Sequence, residues 1–352
     1  MTSLRANVEF KLPSRKALEL VLISLSICIQ FISTIALAQT TKYALIVSGV
    51  SGEEEFKEKF WNWSSQMVRS LTEALKFSKE NILFLAEDPS KDSSIITGKA
   101  TKGELAKAFD RLQSTAKPGD LLFIFILGHG NFDGNDYKFN LVGPDVTGSE
   151  LKGFLDRFPK QEVVVVCSTP CSGILTRILI QKNRVIITAT KNEFENNDTI
   201  FADFFVEAFK NKAADTDKNG RISVLEAYLY TAQKVDRWYK ERNQLATEHP
   251  LLEDNGDRIG SPLPSPENGE GLLASKISLM EPTGAVAELG ESSAANPELQ
   301  ALYSNKQRIE AELQGLKYKK SSLSEAQYNQ QLENLLVELA QTNQKIKNFE
   351  KQ

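Results

Sequence analysis

Between Lys42 and about Thr190 the chain alternates short, nearly unbroken apolar runs with longer stretches in which apolar residues recur at helical spacing. The runs Tyr43–Ser48, Ile82–Leu85, Leu121–Leu127, Val163–Val166 and Val185–Thr188 are rich in β-branched and aromatic residues. A strand without an alternating polar side is one covered on both faces, as in parallel sheets. The intervening stretches predict helices over about Glu54–Phe77, Lys102–Thr115, Gly148–Phe158 and Ser172–Gln181. Two more, about Ile200–Asn211 and Ser223–Asn243, close a domain spanning residues 42–253. Strand–helix alternation predicts an α/β fold with a mostly parallel sheet and helices on both sides. In such sheets the functional loops gather at the carboxyl ends of the strands.

The pattern changes after Glu253. Residues 254–296 are rich in Gly, Pro, Ser and Glu and are expected to form a flexible linker. From Pro297 to Gln352 heptad-spaced Leu302, Ile309, Leu316 and Leu323 give way to a second stripe through Leu332, Leu335, Leu339, Ile346 and Phe349. Ser324 with Gln327 three residues on has the form of a capping box. Residues 297–352 therefore predict an antiparallel helical hairpin, either packed on itself or the main domain, or serving as a coiled-coil surface for a partner or a second copy.

At the other end, Arg5, Lys11, Arg15 and Lys16 precede an apolar run that ends Ala36-Leu37-Ala38-Gln39. This is the layout of a signal peptide, residues 1–38, with cleavage after Ala38; an uncleaved anchor is the alternative. The mature protein is expected to be secreted or periplasmic, with no membrane association once the signal is removed. Removal takes four basic and two acidic residues and moves the net charge from −4 to −6. That charge does not suit a broad nucleic-acid surface.

Histidine and cysteine are scarce. There are two histidines, His129 and His249, and Cys28 leaves with the signal, so only Cys167 and Cys171 remain. Structural zinc sites built from four cysteines are excluded. The apolar run Leu121–Leu127 leads straight into Gly128-His129-Gly130, which presents an imidazole at the mouth of a strand. A second run, Val163–Val166, leads into Cys167-Ser168-Thr169-Pro170-Cys171-Ser172-Gly173. In a parallel sheet both ends share one edge, so His129 and Cys171 can meet there. An imidazole raises the thiolate fraction of a cysteine and later protonates a leaving amine. The backbone amides of Gly130 and Cys171 are the candidate oxyanion donors. Cys167 reads as a core thiol, or alternatively as the partner of Cys171 in a disulfide that would gate the nucleophile.

Strand–His–Gly followed by strand–Cys–x–Gly resembles the caspase-like cysteine peptidases, including their legumain and metacaspase branches. The resemblance covers about Lys42 to Asn243. It implies a three-layer α/β/α sandwich and an endopeptidase acting on a peptide or protein substrate through a His129/Cys171 dyad. One feature departs from the pattern. Legumain-type members carry Cys-x-Ser-Gly, a register that places Pro170 at the nucleophile position; the caspase form Cys-x-Gly places Cys171 there. The chain is therefore either an active peptidase or a catalytically inactive relative, a scaffold or binding protein acting through its C-terminal hairpin. Asp133, Asp136, Lys138, Glu193 and Glu195 are the charged residues expected near the mouth.

A second motif is independent of the first. Residues 215–226, Asp-Thr-Asp-Lys-Asn-Gly-Arg-Ile-Ser-Val-Leu-Glu, match the twelve-position EF-hand loop. Asp215, Asp217, Asn219, the Arg221 carbonyl, Ser223 and Glu226 would be the Ca2+ ligands, with Gly220 at the turn. Oxygen donors at this spacing suit calcium in a structural role. His249, in Glu248-His249-Pro250, is expected to orient the acidic loop Glu253–Asp257 or to pair with a carboxylate.

Overall fold

The five apolar runs are the centre of one sheet. In the computed structural model, which describes residues 40–210, 213–216, 220–267, 269–280, 297–318 and 323–349, they form β1 (Lys42–Ser48), β2 (Ile82–Ala86), β4 (Leu121–Leu127), β8 (Glu162–Ser168) and β9 (Arg184–Thr188). Two short strands extend it, β3 (Gly98–Lys99) and β10 (Leu251–Glu253). The order is β10-β9-β8-β4-β1-β2-β3, parallel throughout except that β10 runs antiparallel to β9. A separate antiparallel sheet of β5 (Gly130–Phe132), β6 (Tyr137–Phe139) and β7 (Val146–Thr147) follows β4.

Alternate residues of each central strand feed opposite cores. Phe123, Phe125 and Leu127 join Ala44, Ile46, Val164 and Val166 on one face. Leu122, Ile124 and Ile126 join Leu45, Val47, Val163 and Val165 on the other. The first face is covered by α1 (Glu54–Glu73), α5 (Phe201–Lys210), α6 (Val224–Glu241) and α7 (Leu272–Lys276). The second is covered by α2 (Lys102–Thr115), α3 (Gly148–Leu155) and α4 (Leu175–Ile178). The result is a three-layer α/β/α sandwich, as the sequence pattern and the resemblance implied. Fully buried aromatics such as Phe84, Phe123, Phe205 and Phe209 carry this core, each contributing about 1.5–3 kcal/mol by leaving water.

The helices lie where apolar spacing put them. α1 ends near Glu73, short of the expected Phe77, and the helix expected over Ser172–Gln181 is split into a single 3-10 turn and the short α4. Packing also continues beyond the expected linker boundary at Asp254. Ser261 pairs with Leu252, α7 packs on the first face, and Leu279 and Met280 are buried. The sequence between Asp254 and Met280 thus belongs to the domain, because its few apolar residues are spent on α6 and the sheet.

Residues 1–38 lie outside the described residues, and with them the expected signal peptide. The chain divides into two units, Met1–Thr40 and Thr41–Gln352. Among the described residues no helix is long and apolar enough to cross a membrane. At the far end, α8 (Pro297–Tyr318) and α9 (Glu325–Phe349) pack on one another. Leu299 and Ile346 are buried together, Asn305 bonds Thr342, and Arg308 pairs with Glu338, a run that makes the hairpin antiparallel. The Ser324–Gln327 capping box forms at the start of α9.

Candidate functional site

Sheet topology picks out one place on the carboxyl edge. From β1 the chain builds outward through β2 and β3, then returns to β4 on the opposite side of β1 and builds the other way. The loops leaving β1 and β4 meet at this reversal of direction, where the Gly49 amide donates to the Leu127 carbonyl at 2.9 Å and the Val50 amide to the Asn140 carbonyl at 3.1 Å; open α/β sheets bind their ligands at such switch points. His129, two residues beyond β4, stands there. Its Nε2 donates to the carbonyl of Ser51, from the loop after β1, at 2.9 Å. Since a carbonyl only accepts, this bond fixes the proton on Nε2. Nδ1 faces Asp198 Oδ1 at 3.6 Å. The ring is packed edge-on against Phe56 and Phe60 of α1, with centroids at 4.8 and 5.2 Å. Ser51 is itself held by Glu87, beyond β2, whose carboxylate accepts both its amide and its hydroxyl.

Cys171 is in a different environment. It is 2% exposed and belongs to the hydrophobic cluster of the second face, with Cys167, Tyr137 and Leu175. Its backbone is left-handed, with φ 58°. Burial pushes the thiol up from its ordinary range, opposed by the Phe132 amide, which bonds the sulfur. His129 and Cys171 thus lie on loops of adjacent strands, as expected, but share no hydrogen bond. The imidazole is engaged with Ser51, Asp198 and the α1 aromatics, and the thiol is seated under β5. The Cys171 amide, expected as an oxyanion donor, donates instead to the carbonyl of Glu195 at 2.8 Å. The other expected donor, Gly130, is in the β5–β6 ladder opposite Phe139.

The close approach beside His129 is made by Pro170. A β-carbon on Gly130 would lie 2.8 Å from the Pro170 carbonyl oxygen and 2.8 Å from the Tyr137 hydroxyl, so only glycine fits. Gly173 is also obligatory, since a β-carbon there would lie 2.1 Å from the Asn192 amide nitrogen. Cys167 and Cys171 are free thiols. Cys167 is the expected core thiol, fully buried and pushed up to about 11 by that burial.

The charged residues expected at the mouth are occupied in holding loops. Asp133 pairs with Lys138, Asp136 accepts the Tyr137 and Ser149 amides, and Glu193 pairs with Arg177. Glu195 accepts from His249, through both the Nδ1 edge at 2.5 Å and the backbone amide at 3.2 Å. His249 therefore pairs with a carboxylate of the 190–199 loop, which in turn holds Cys171, and does not orient the Glu253–Asp257 loop. Next to it, Glu248 is 1% exposed, accepts the Ile200 amide ahead of α5, and is pushed up to about 8 by burial. Asp198, Glu87 and Glu248 had no periodicity or motif to mark them in sequence; they matter only because three separate loops converge.

At the EF-hand-like loop, Asp217 and Asn219 lie outside the described residues. The described residues on either side are tied to one another. Asp215 accepts the Gly220 amide at 3.0 Å, and Gly220 has φ 82°. Ile222 is fully buried and Ser223 caps α6. Glu226 closes a capping box with Ser223, and its other oxygen reaches back to the Thr216 amide and hydroxyl at 3.0 Å. The outgoing side is braced by a β-bridge from Ser223 to Ser278 and by the Val224 amide bonding the Ile277 carbonyl. Arg221 lies between these two anchored halves, at the position whose carbonyl the motif uses.

Comparison with models of known protein families and with curated proteins found no match. Among solved structures, protein GSU0716 from Geobacter sulfurreducens is similar over 63% of this chain and 97% of its own, at 12% identity and a TM-score of 0.38.

Proposed function

We propose that this is an exported, caspase-like domain that binds a peptide or protein partner without cleaving it, stabilised by a calcium ion in its helix–loop–helix. The observation that carries this reading is the setting of Cys171: a thiol 2% exposed, on a left-handed residue, inside an apolar cluster. A nucleophilic cysteine needs access and a lowered pKa, and burial acts here in the opposite direction. Proline stands where the legumain register wants the nucleophile, and its carbonyl abuts the residue after His129. His129 remains at the switch point of the sheet, half-buried and held by Ser51 through Nε2, where its Nδ1 can accept a hydrogen bond from a bound chain.

Calcium is the natural ligand of 215–226. Asp215 and Glu226 are already drawn onto the loop from its two ends, and Gly220 makes the turn that the motif requires. Asp217, Asn219, the Arg221 carbonyl and Ser223 would complete the set. The ion would clamp α5 to α6, a structural task. The C-terminal hairpin, self-packed through Leu299 and Ile346, is the further surface for a partner.

The test is labelling with an electrophilic peptide probe, with and without calcium, under reducing conditions, in wild type and Cys171→Ala. Equal, background labelling of both is expected. Labelling of wild type that disappears in Cys171→Ala would restore the peptidase reading.

A further inference from the structure

We propose that Glu253, Asp257 and Glu270 form a second site for a hard divalent cation of the calcium class, distinct from the helix–loop–helix. One carboxylate oxygen from each of the three lies within 4.8 Å of the other two. Glu253, the last residue of β10, is fully buried. Its Oε1 accepts the Gly256 amide at 2.7 Å, while its Oε2, also buried, has no hydrogen-bond partner. A buried carboxylate oxygen left without a donor is unfavourable, and three carboxylates facing one another compound it unless a positive charge sits among them. Among the described residues no lysine or arginine forms an ion pair with Glu253 or Asp257.

The surroundings are those of a preset cradle. Glu270 is 4% exposed; its Oε1 accepts the Asp254 amide at 2.6 Å and its Oε2 the Asn255 side-chain amide at 3.0 Å. The same Asn255 amide reaches Asp257 Oδ2 at 3.2 Å, and Asp257 Oδ1 accepts the Ile259 amide. Asp254 accepts the Gly271 and Ala274 amides, which fastens the two arms of the site together. The donor set is oxygen only, which selects calcium or magnesium over metals that prefer imidazole or thiolate. Calcium–oxygen distances of about 2.3–2.6 Å put ligands on opposite sides of the ion about 5 Å apart, so oxygens spread over no more than 4.8 Å fit one coordination sphere. A cation here would tie the end of the edge strand to the segment that runs through α7 to Ser278.

The experiment is calorimetric titration of the full chain, stripped with EDTA, using calcium chloride and then magnesium chloride. Wild type is compared with Asp257→Asn, with Glu253→Gln/Glu270→Gln, and with Glu226→Gln, which disables the 215–226 loop. In Glu226→Gln a calcium-binding event is expected to persist. Asp257→Asn should weaken that event about tenfold, and the double variant should remove it. Asp257 is exposed, so its variant reports even where the double variant does not fold, which circular dichroism checks. Absence of any calcium or magnesium binding in Glu226→Gln, or affinity unchanged by Asp257→Asn, overturns the proposal. Wild type and Glu226→Gln binding alike, with Asp257→Asn impaired, keeps this site and removes the one at 215–226.

Discussion

The carbonyl oxygen of Pro170 faces the α-carbon of Gly130 so closely that a β-carbon there would lie 2.8 Å away. The loop after β8 is therefore clasped to the histidine loop one residue before the cysteine, and Cys171 is carried past His129 into the second-face cluster. Gly130→Ala should push the two loops apart and destabilise the domain by about 1–3 kcal/mol, read from urea unfolding. Unchanged stability would mean that the loops are not in contact.

The burial of both thiols predicts their reactivity. In the native protein Cys167 and Cys171 should react with a disulfide reagent such as DTNB at least a hundredfold more slowly than after unfolding in urea. Cys171→Ser, which puts a hydroxyl into an apolar cluster, should cost about 1–2 kcal/mol. Fast native modification of Cys171 would mean that the thiol is not packed in the second-face cluster.

Glu248 predicts a pH dependence of stability. Burial raises its folded pKa to about 8, above the ordinary carboxylate range. A raised acid favours folding most when it is protonated in both states, and that contribution is lost as pH climbs from the unfolded value through the folded one. Stability should therefore fall by about 2 kcal/mol between pH 6 and pH 8 on account of this group. Glu248→Gln, which stays neutral and can still accept the Ile200 amide, should flatten that slope. A slope identical in wild type and Glu248→Gln would assign the effect elsewhere.

Glu226 serves two ends at once, bonding Ser223 at the start of α6 and Thr216 near the start of the loop. Glu226→Ala should lower stability by about 1 kcal/mol without calcium, from the lost capping box. It should also abolish any rise in melting temperature that calcium produces through 215–226. A calcium-induced rise that survives Glu226→Ala and is lost in Asp257→Asn would belong to the acidic cluster instead.

The sheet was legible because its strands are written redundantly. Leu121–Leu127 and Val163–Val166 are apolar at every position, and short runs of that kind rich in β-branched and aromatic residues suit a strand with both faces covered. Strands β5 to β7 were not, since stretches such as Gly130-Asn131-Phe132 mix glycine, polar and aromatic residues and are held by ladder bonds to each other. β10 is three residues long and follows a proline, too little for a period. For the site, sequence placed His129 at the right edge, but the direction of the Cys171 side chain hangs on one positive φ angle and on the fit of Pro170 against Gly130. Neither leaves a trace in residue spacing. The acidic residues between Glu253 and Glu270 are ordinary linker composition until the fold closes them on one another.

The seven-stranded sheet ends on one side in β3, two residues long, and on the other in β10, three residues long and turned antiparallel. The outer side of β10 is not bare either: Leu252 exchanges both backbone hydrogen bonds with Ser261. A long, exposed edge on a sheet with so apolar a centre would otherwise offer a template for pairing with other chains. With one border stunted and the other hemmed by its own loop, the apolar centre of the sheet presents little free edge on which a strand of a neighbour could pair.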